Sequence, residues 1–238
     1  MNAITDNPYR RSWEALSQRF ARPKAIVCIS AHWETDGVFV TSATHPHTIP
    51  DFYGFPDALF AMRYPAPGSP ELAERIAALT GARRDGEWGL DHGAWSVLAS
   101  LYPEADIPVL QFSLDRTKTP AEHYALGRKL APLREEGVLV LGSGNIVHNL
   151  RYFRSGPQHY DWAERIDAVM AEKILSRDHA ALIDYQALDA QTSLAIPTNE
   201  HYLPLLYALG ASHEDDAREI FNRDVIASIS MTSVTLGL

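Results

Sequence analysis

The chain has 238 residues, 46% of them hydrophobic and 21% charged, with a formal net charge of −9 at pH 7. That composition excludes a disordered or fibrous chain and leaves enough apolar material for one core-bearing domain over residues 1–238. The acidic balance argues against a nucleic-acid partner, which needs clustered Lys and Arg, and no apolar stretch reaches the ~20 residues of a membrane span. The polar start Met1-Asn2-Ala3-Ile4-Thr5-Asp6 lacks the apolar stretch of a secretory signal, so a cytoplasmic protein without a membrane partner is expected.

In chain order, Trp13, Leu16 and Phe20 give residues 8–20 a helical spacing. Residues 24–30 and 37–42 read as strands. The first holds the unbroken apolar run Ala25-Ile26-Val27-Cys28-Ile29, suited to a sheet covered on both faces, and Cys28 reads as a buried structural thiol. Residues 43–68 are rich in His, Pro, Gly and aromatics, and a loop this long in a compact domain is usually functional. Ser69-Pro70-Glu71 combines an N-cap, a first-turn proline and an acid, opening a helix that runs to Gly81. Residues 91–101 carry a helix pattern and 107–113 a strand, and Thr119-Pro120-Ala121-Glu122 starts another helix. A strand over 137–142 and helices over 160–176 and 199–209 follow; 225–229 and 231–238 read as two short strands forming a hairpin. Strands alternating with helices predict a three-layer α/β/α sandwich around a mixed, mostly parallel sheet.

The run at 25–29 breaks into Ser30-Ala31-His32-Trp33-Glu34, and Val138-Leu139-Val140-Leu141 breaks into Gly142-Ser143-Gly144-Asn145-Ile146-Val147-His148-Asn149. His201 sits at the mouth of a helix. Side chains at the carboxyl ends of such strands face the crevice where open α/β sheets bind ligands. A neutral imidazole there suits a divalent metal or a proton transfer, so His32, His148 and His201 are expected to converge. Glu34 and Asn149 stand beside two of them as residues able to hold an imidazole in one tautomer. Asp91-His92 reads equally as part of that site or as a helix cap. His179 and His213 read as surface, His159 as surface or capping, and His123 as a satisfied, partly buried helix residue. His45 and His47 lie in the long loop, within reach of a substrate or on the surface. Gly142-Ser143-Gly144 is not a nucleophile elbow, no Lys follows it as in a phosphate cradle, and a His-x-x-x-His or Glu-x-x-His zinc helix is absent.

At these segments, and at Gly89-Leu90-Asp91-His92-Gly93-Ala94-Trp95-Ser96-Val97-Leu98 and Asn199-Glu200-His201-Tyr202-Leu203-Pro204-Leu205, the chain resembles the class III extradiol ring-cleavage dioxygenases, in their small DOPA dioxygenase-like branch. The segments run in order over nearly the whole chain. The resemblance implies non-haem Fe(II), with Zn(II) as another occupant, held by His32 and His201, with His148 as a third ligand or as the acid/base beside the metal. It implies a catechol such as DOPA and O2 as reactants, and ring opening to a muconic semialdehyde. His148, and His92 after it, would move the catechol proton. His47, Phe52, Tyr53 and Phe55 would stack on the substrate ring or simply pack, and Glu34, Asp91 and Glu200 would serve near the metal, as caps or in solvent. Members of this family carry a His-Gly-Ser-Pro segment on a first strand ahead of a Met-Asn-Ala-like stretch. This sequence starts at Met1-Asn2-Ala3, so the expectation is a chain shortened by that strand and its metal-ligating histidine. The same histidines also suit a zinc-dependent hydrolase or lyase, and the scaffold a non-enzymatic binding protein. The oligomeric state stays open.

Overall fold

The computed structural model describes residues 2–54, 56–153 and 159–237. The central sheet contains β1 (Ala25–Thr35), β2 (Phe39–Thr41), β3 (Arg83–Asp85), β4 (Val109–Asp115) and β5 (Val138–Ser143), in the spatial order β3-β2-β4-β1-β5. β1 pairs in parallel with β4 and β5, and β2 with β3; the β2–β4 contact is antiparallel. Around the sheet lie α1 (Pro8–Leu16), α2 (Asp57–Phe60), α3 (Pro70–Thr80), α4 (His92–Leu101), α5 (Pro120–Leu130), α6 (Pro132–Glu135), α7 (Asp161–Leu175), α8 (His179–Ile183), α9 (Thr192–Ala195) and α10 (Leu203–Ala211).

β1 divides the core because both its faces are buried. Val27 and Ile29 pack with Leu126 and Leu130 of α5, Met170 of α7 and Leu206 of α10. Ile26, one residue out of phase, packs with Trp95 and Leu98 of α4, against which Trp13 and Leu16 of α1 also rest. Successive strand side chains point to opposite faces, so one apolar run serves two helical layers and the fold is a mixed α/β/α sandwich. Cys28 is fully buried within this strand, and burial, with Asp91 nearby, pushes its thiol well up.

The helix starts follow their local chemistry. Ser69 accepts the Leu72 N–H and Gly81 ends α3 at φ +82. Thr119 and Glu122 form a reciprocal capping box on α5, and Asp91 caps α4 by accepting the Ala94 N–H.

Several boundaries differ from expectation: α1 stops at Leu16 rather than 20, and β1 runs past 30 to Thr35. α10 begins at Leu203, because 199–202 form a turn in which the Asn199 carbonyl receives the N–H groups of Tyr202 and Leu203. The expected terminal hairpin is two nested ribbons: β6 (Arg218–Phe221) pairs with β9 (Ser233–Leu236), enclosing β7 (Val225–Ile226) paired with β8 (Ile229–Ser230). Ala227, at φ +53, turns the chain inside what reads as one apolar strand. Among the described residues no helix is long and apolar enough to cross a membrane.

Candidate metal centre

The register of β1 against β4 jumps between Ile29↔Phe112 and Glu34↔Leu114, leaving residues 30–33 opposite residue 113 alone. Such an irregularity bends a strand and re-aims a side chain, and His32 lies within it. Its ring meets that of His92, the first residue of α4, at a centroid distance of 3.9 Å. The Ser143 hydroxyl at the end of β5 donates to the Gly93 carbonyl at 2.7 Å, joining strand end to helix start. His148 follows in the next loop. Its ring stacks on that of His201 at 3.5 Å and 10°, and His201 stands edge-on to His32 at 5.1 Å. The four imidazoles form one continuous cluster with a carboxylate at either end. His32, Asp51 and His92, and likewise His148, Glu200 and His201, offer three donor atoms within 4.8 Å of one another.

Hydrogen bonds fix how the rings present themselves. The Asn145 side chain donates through Nδ2 to the Ser230 carbonyl at 2.7 Å, which turns its oxygen to His201 Nδ1, 3.0 Å away. An amide oxygen only accepts, so Nδ1 carries the proton and Nε2 keeps its lone pair. Asp51 accepts the His92 backbone N–H at 2.7 Å through Oδ1, and its Oδ2 stands at ion-pair distance, 2.9 Å, from ring Nδ1. The buried Asp91 accepts from Ser30 Oγ and Gln111 Nε2, both at 2.7 Å, and Ser30 Oγ in turn accepts the His32 N–H at 3.2 Å. On the other side the terminal ribbon laces down the His148 loop: Ser230 N–H donates to the Val147 carbonyl, Asn149 N–H to the Ser228 carbonyl, and Ser228 Oγ to the Asn149 carbonyl. Asp167 of α7 anchors that ribbon through Ser230 Oγ and Thr232 Oγ1. Two glycines make room. A Cβ on Gly93 would collide with Ser30 Oγ and stand 2.9 Å from His32 Cδ2, and one on Gly144 would strike the His201 carbonyl.

The electrostatics favour the uncharged form of His32, His148 and His201. Burial brings His32 down to about 4, with His92 adding to the effect and Asp51 opposing it. Burial, then repulsion from His148, His32 and His92, brings His201 down to about 2. His148 is lowered by burial against the pull of Glu200. Burial raises the Asp51 carboxyl, but its bonds to His92 outweigh this and hold it below the ordinary range. Neutral imidazoles flanked by carboxylates are a donor set that fits a first-row divalent cation.

Residues 3–238 match the family described as the catalytic LigB subunit of aromatic ring-opening dioxygenase. The chain belongs to the LigB family, the class III extradiol dioxygenases. It is similar to a protein of Escherichia coli (strain K12) named 4,5-DOPA dioxygenase extradiol, at 45% identity over 249 residues, covering 100% of this chain and 91% of the relative. A protein of the same name from Beta vulgaris is 39% identical over 235 residues, covering 93% and 87% respectively. The crystal structure of an uncharacterized protein from Escherichia coli K12 matches with a TM-score of 0.84 at 40% identity, covering 97% of this chain and 93% of that one.

In this LigB-family chain the residues read from sequence are placed unevenly. His32, His92, His148 and His201 come together. The long loop sends Phe52, not Tyr53, inward: Phe52 is buried edge-on to the His92 ring at 5.5 Å, whereas Tyr53 is 93% exposed and His47 is also exposed. Phe55 lies outside the described residues. The tautomer partners differ from those expected, because Asn149 donates to the Leu194 carbonyl and accepts the Arg151 N–H, and Glu34 is exposed. Asn145 instead stands at Nδ1 of His201 and Asp51 at Nδ1 of His92. Asp51 gave one signal in the sequence, as a lone carboxylate in an apolar, aromatic stretch. His179, expected on the surface, is half-buried with Tyr124 Oη at 2.8 Å and Arg218 at 2.9 Å, and His213 is half-buried beside Glu135. His123 is buried against Tyr207 Oη, and the exposed His159 pairs with Asp161 and Glu164 in the first turn of α7.

Proposed function

We propose that this chain opens a catechol such as DOPA with O2 at a non-haem Fe(II), breaking the ring between a hydroxylated carbon and its unhydroxylated neighbour to give a muconic semialdehyde. The observation that carries the reading is the convergence of four imidazoles with Asp51 and Glu200 at the carboxyl end of the sheet of a LigB-family chain. His32 and His201 would hold the cation, and His148 would stand beside it as the acid/base. When bound, the metal supplies Lewis acidity and a common template for the catecholate and O2.

The protein's own groups do the rest. Asn145 presents the Nε2 lone pair of His201. His148, held neutral by burial, accepts a catechol hydroxyl proton and returns it as the ring opens; His92 is the second candidate for that transfer. Phe52 closes the wall beside His92, and His47 and Tyr53, on the exposed part of the same loop, are proposed to meet the substrate at the mouth. The partners are thus small molecules, and the net charge of −9 supports a protein without a nucleic-acid partner.

The test is anaerobic loading of metal-depleted protein with Fe(II), followed by DOPA and oxygen-electrode recording. One O2 consumed per DOPA, with a product whose mass equals the sum of the two, is the expected result. Zn(II), which has no redox chemistry, serves as the inactive control. Absence of O2 uptake by the Fe(II)-loaded protein with DOPA and other catechols would sink the reading.

A further inference from the structure

Asp51 belongs to the loop over 43–68 and to no helix or strand, yet its surroundings are pinned. The Ile49 N–H donates to the Leu90 carbonyl at 2.7 Å and the Leu90 N–H to the His47 carbonyl at 2.8 Å. Trp95 Nε1 donates to the Ile49 carbonyl at 3.0 Å, and Phe52 packs on Trp95 at 5.9 Å. The loop is bolted to the first turn of α4, and Asp51 meets His92 from it twice: Oδ1 accepts the backbone N–H, and Oδ2 lies 2.9 Å from ring Nδ1.

A helix start does not call for this second acid. Asp91 already occupies the N-cap of α4 and accepts the Ala94 N–H. An acid serving only to cap can stay in water, whereas the Asp51 side chain is 20% exposed, and burying a carboxylate costs free energy unless it is paired. Its pair is an imidazole edge. A carboxylate only accepts, so an acceptor 2.9 Å from Nδ1 favours the tautomer with its proton on Nδ1 and a lone pair on Nε2.

We propose that Asp51 is a positioning residue: it locks His92 in the Nδ1–H tautomer at a fixed ring angle over His32, leaving Nε2 to accept a hydrogen bond from the catechol. The consequence for ring opening rests on the dioxygenase reading above; the tautomer lock does not. In Asp51→Asn the amide can keep the backbone bond through its oxygen, but it then turns an N–H toward the ring, which moves the His92 proton to Nε2.

The experiment combines two measurements. Long-range proton–nitrogen spectra of metal-free protein carrying nitrogen-15 histidine, with the His92 signals assigned by their loss in H92Q, should show the Nδ1–H form in the parent and the Nε2–H form in D51N. The Fe(II)-loaded D51N protein should lose kcat for DOPA by ~10–100-fold, as outer-shell partners typically do, with KM and calorimetric Zn(II) affinity little changed. Asp51→Ala provides the check should D51N fold poorly: His92 then populates both tautomers, with a similar loss of kcat. An unchanged His92 tautomer in the folded variants overturns the proposal, as does an unchanged kcat in an active enzyme. A parent protein that opens no catechol overturns the dioxygenase reading alone, and the spectra still decide the lock.

Discussion

His201 is held by an amide and His92 by a carboxylate, although both rings flank His32 in one cluster. An amide oxygen orients a ring without adding charge, and nothing then offsets the burial that brings His201 down to about 2. A carboxylate orients a ring and also favours positive charge on it. The supports differ as well. His32 and His92 stand on the central strand and a helix start, braced by the buried Asp91–Ser30–Gln111 network, whereas His148 stands on a loop laced to the terminal ribbon. One cluster therefore joins a ring oriented by a neutral amide to a ring oriented by a carboxylate. Identical side chains are set to different work by what faces their far nitrogen.

Five variants probe that contrast. The largest effect is expected from His148→Ala in the Fe(II)-loaded protein: single-turnover ring opening slowed by ~10²–10⁴-fold with DOPA binding retained. His92→Ala, measured in parallel, should lose less, and equal losses would erase the proposed difference between the two histidines. Gly93→Ala comes next. Its Cβ collides with Ser30 Oγ and crowds His32, and a displacement of that size can cost ~10²-fold in turnover; turnover matching the parent would show that the strand and helix can yield. Asn145→Ala leaves His201 Nδ1 and the Ser230 carbonyl without their partner, and Zn(II) affinity by calorimetry should fall ~10–100-fold. The smallest effect is expected from Ser228→Ala, which removes the bond to the Asn149 carbonyl. It should lower stability in urea by about 0.5–1.5 kcal/mol without moving the Zn(II) affinity; a large affinity loss would mean that the ribbon sets the metal site rather than merely securing its loop.

Much of this frame was legible in the residues because it depends on short-range physics. The apolar runs of β1 and β5 announced buried strands, and Ser69, Asp91 and Thr119 announced helix starts. β3 was missed because Arg83-Arg84-Asp85 has no apolar alternation: it is an edge strand that gains its ladder from β2 alone. β6 was missed because its pairing with β9 spans the whole inner hairpin. At the site, the histidines could be found by where apolar runs end, but not their partners. Asn145 and Asn149 lie in one segment, and only the fold decides that the first reaches His201 while the second turns to the backbone of Leu194. Asp51 lies 41 positions from His92 and meets it because the loop folds back on α4.

The sequestered Cys28 has a practical consequence. It is the chain's single cysteine, fully buried in the central strand with its thiol held protonated, and the thiolate is the form that reacts. The folded protein is in effect blank to maleimides and disulfide reagents. A cysteine introduced at an exposed position such as Tyr53 would then be the sole addressable handle, so a fluorophore or spin label could report on the loop above the histidine cluster without any prior removal of native thiols.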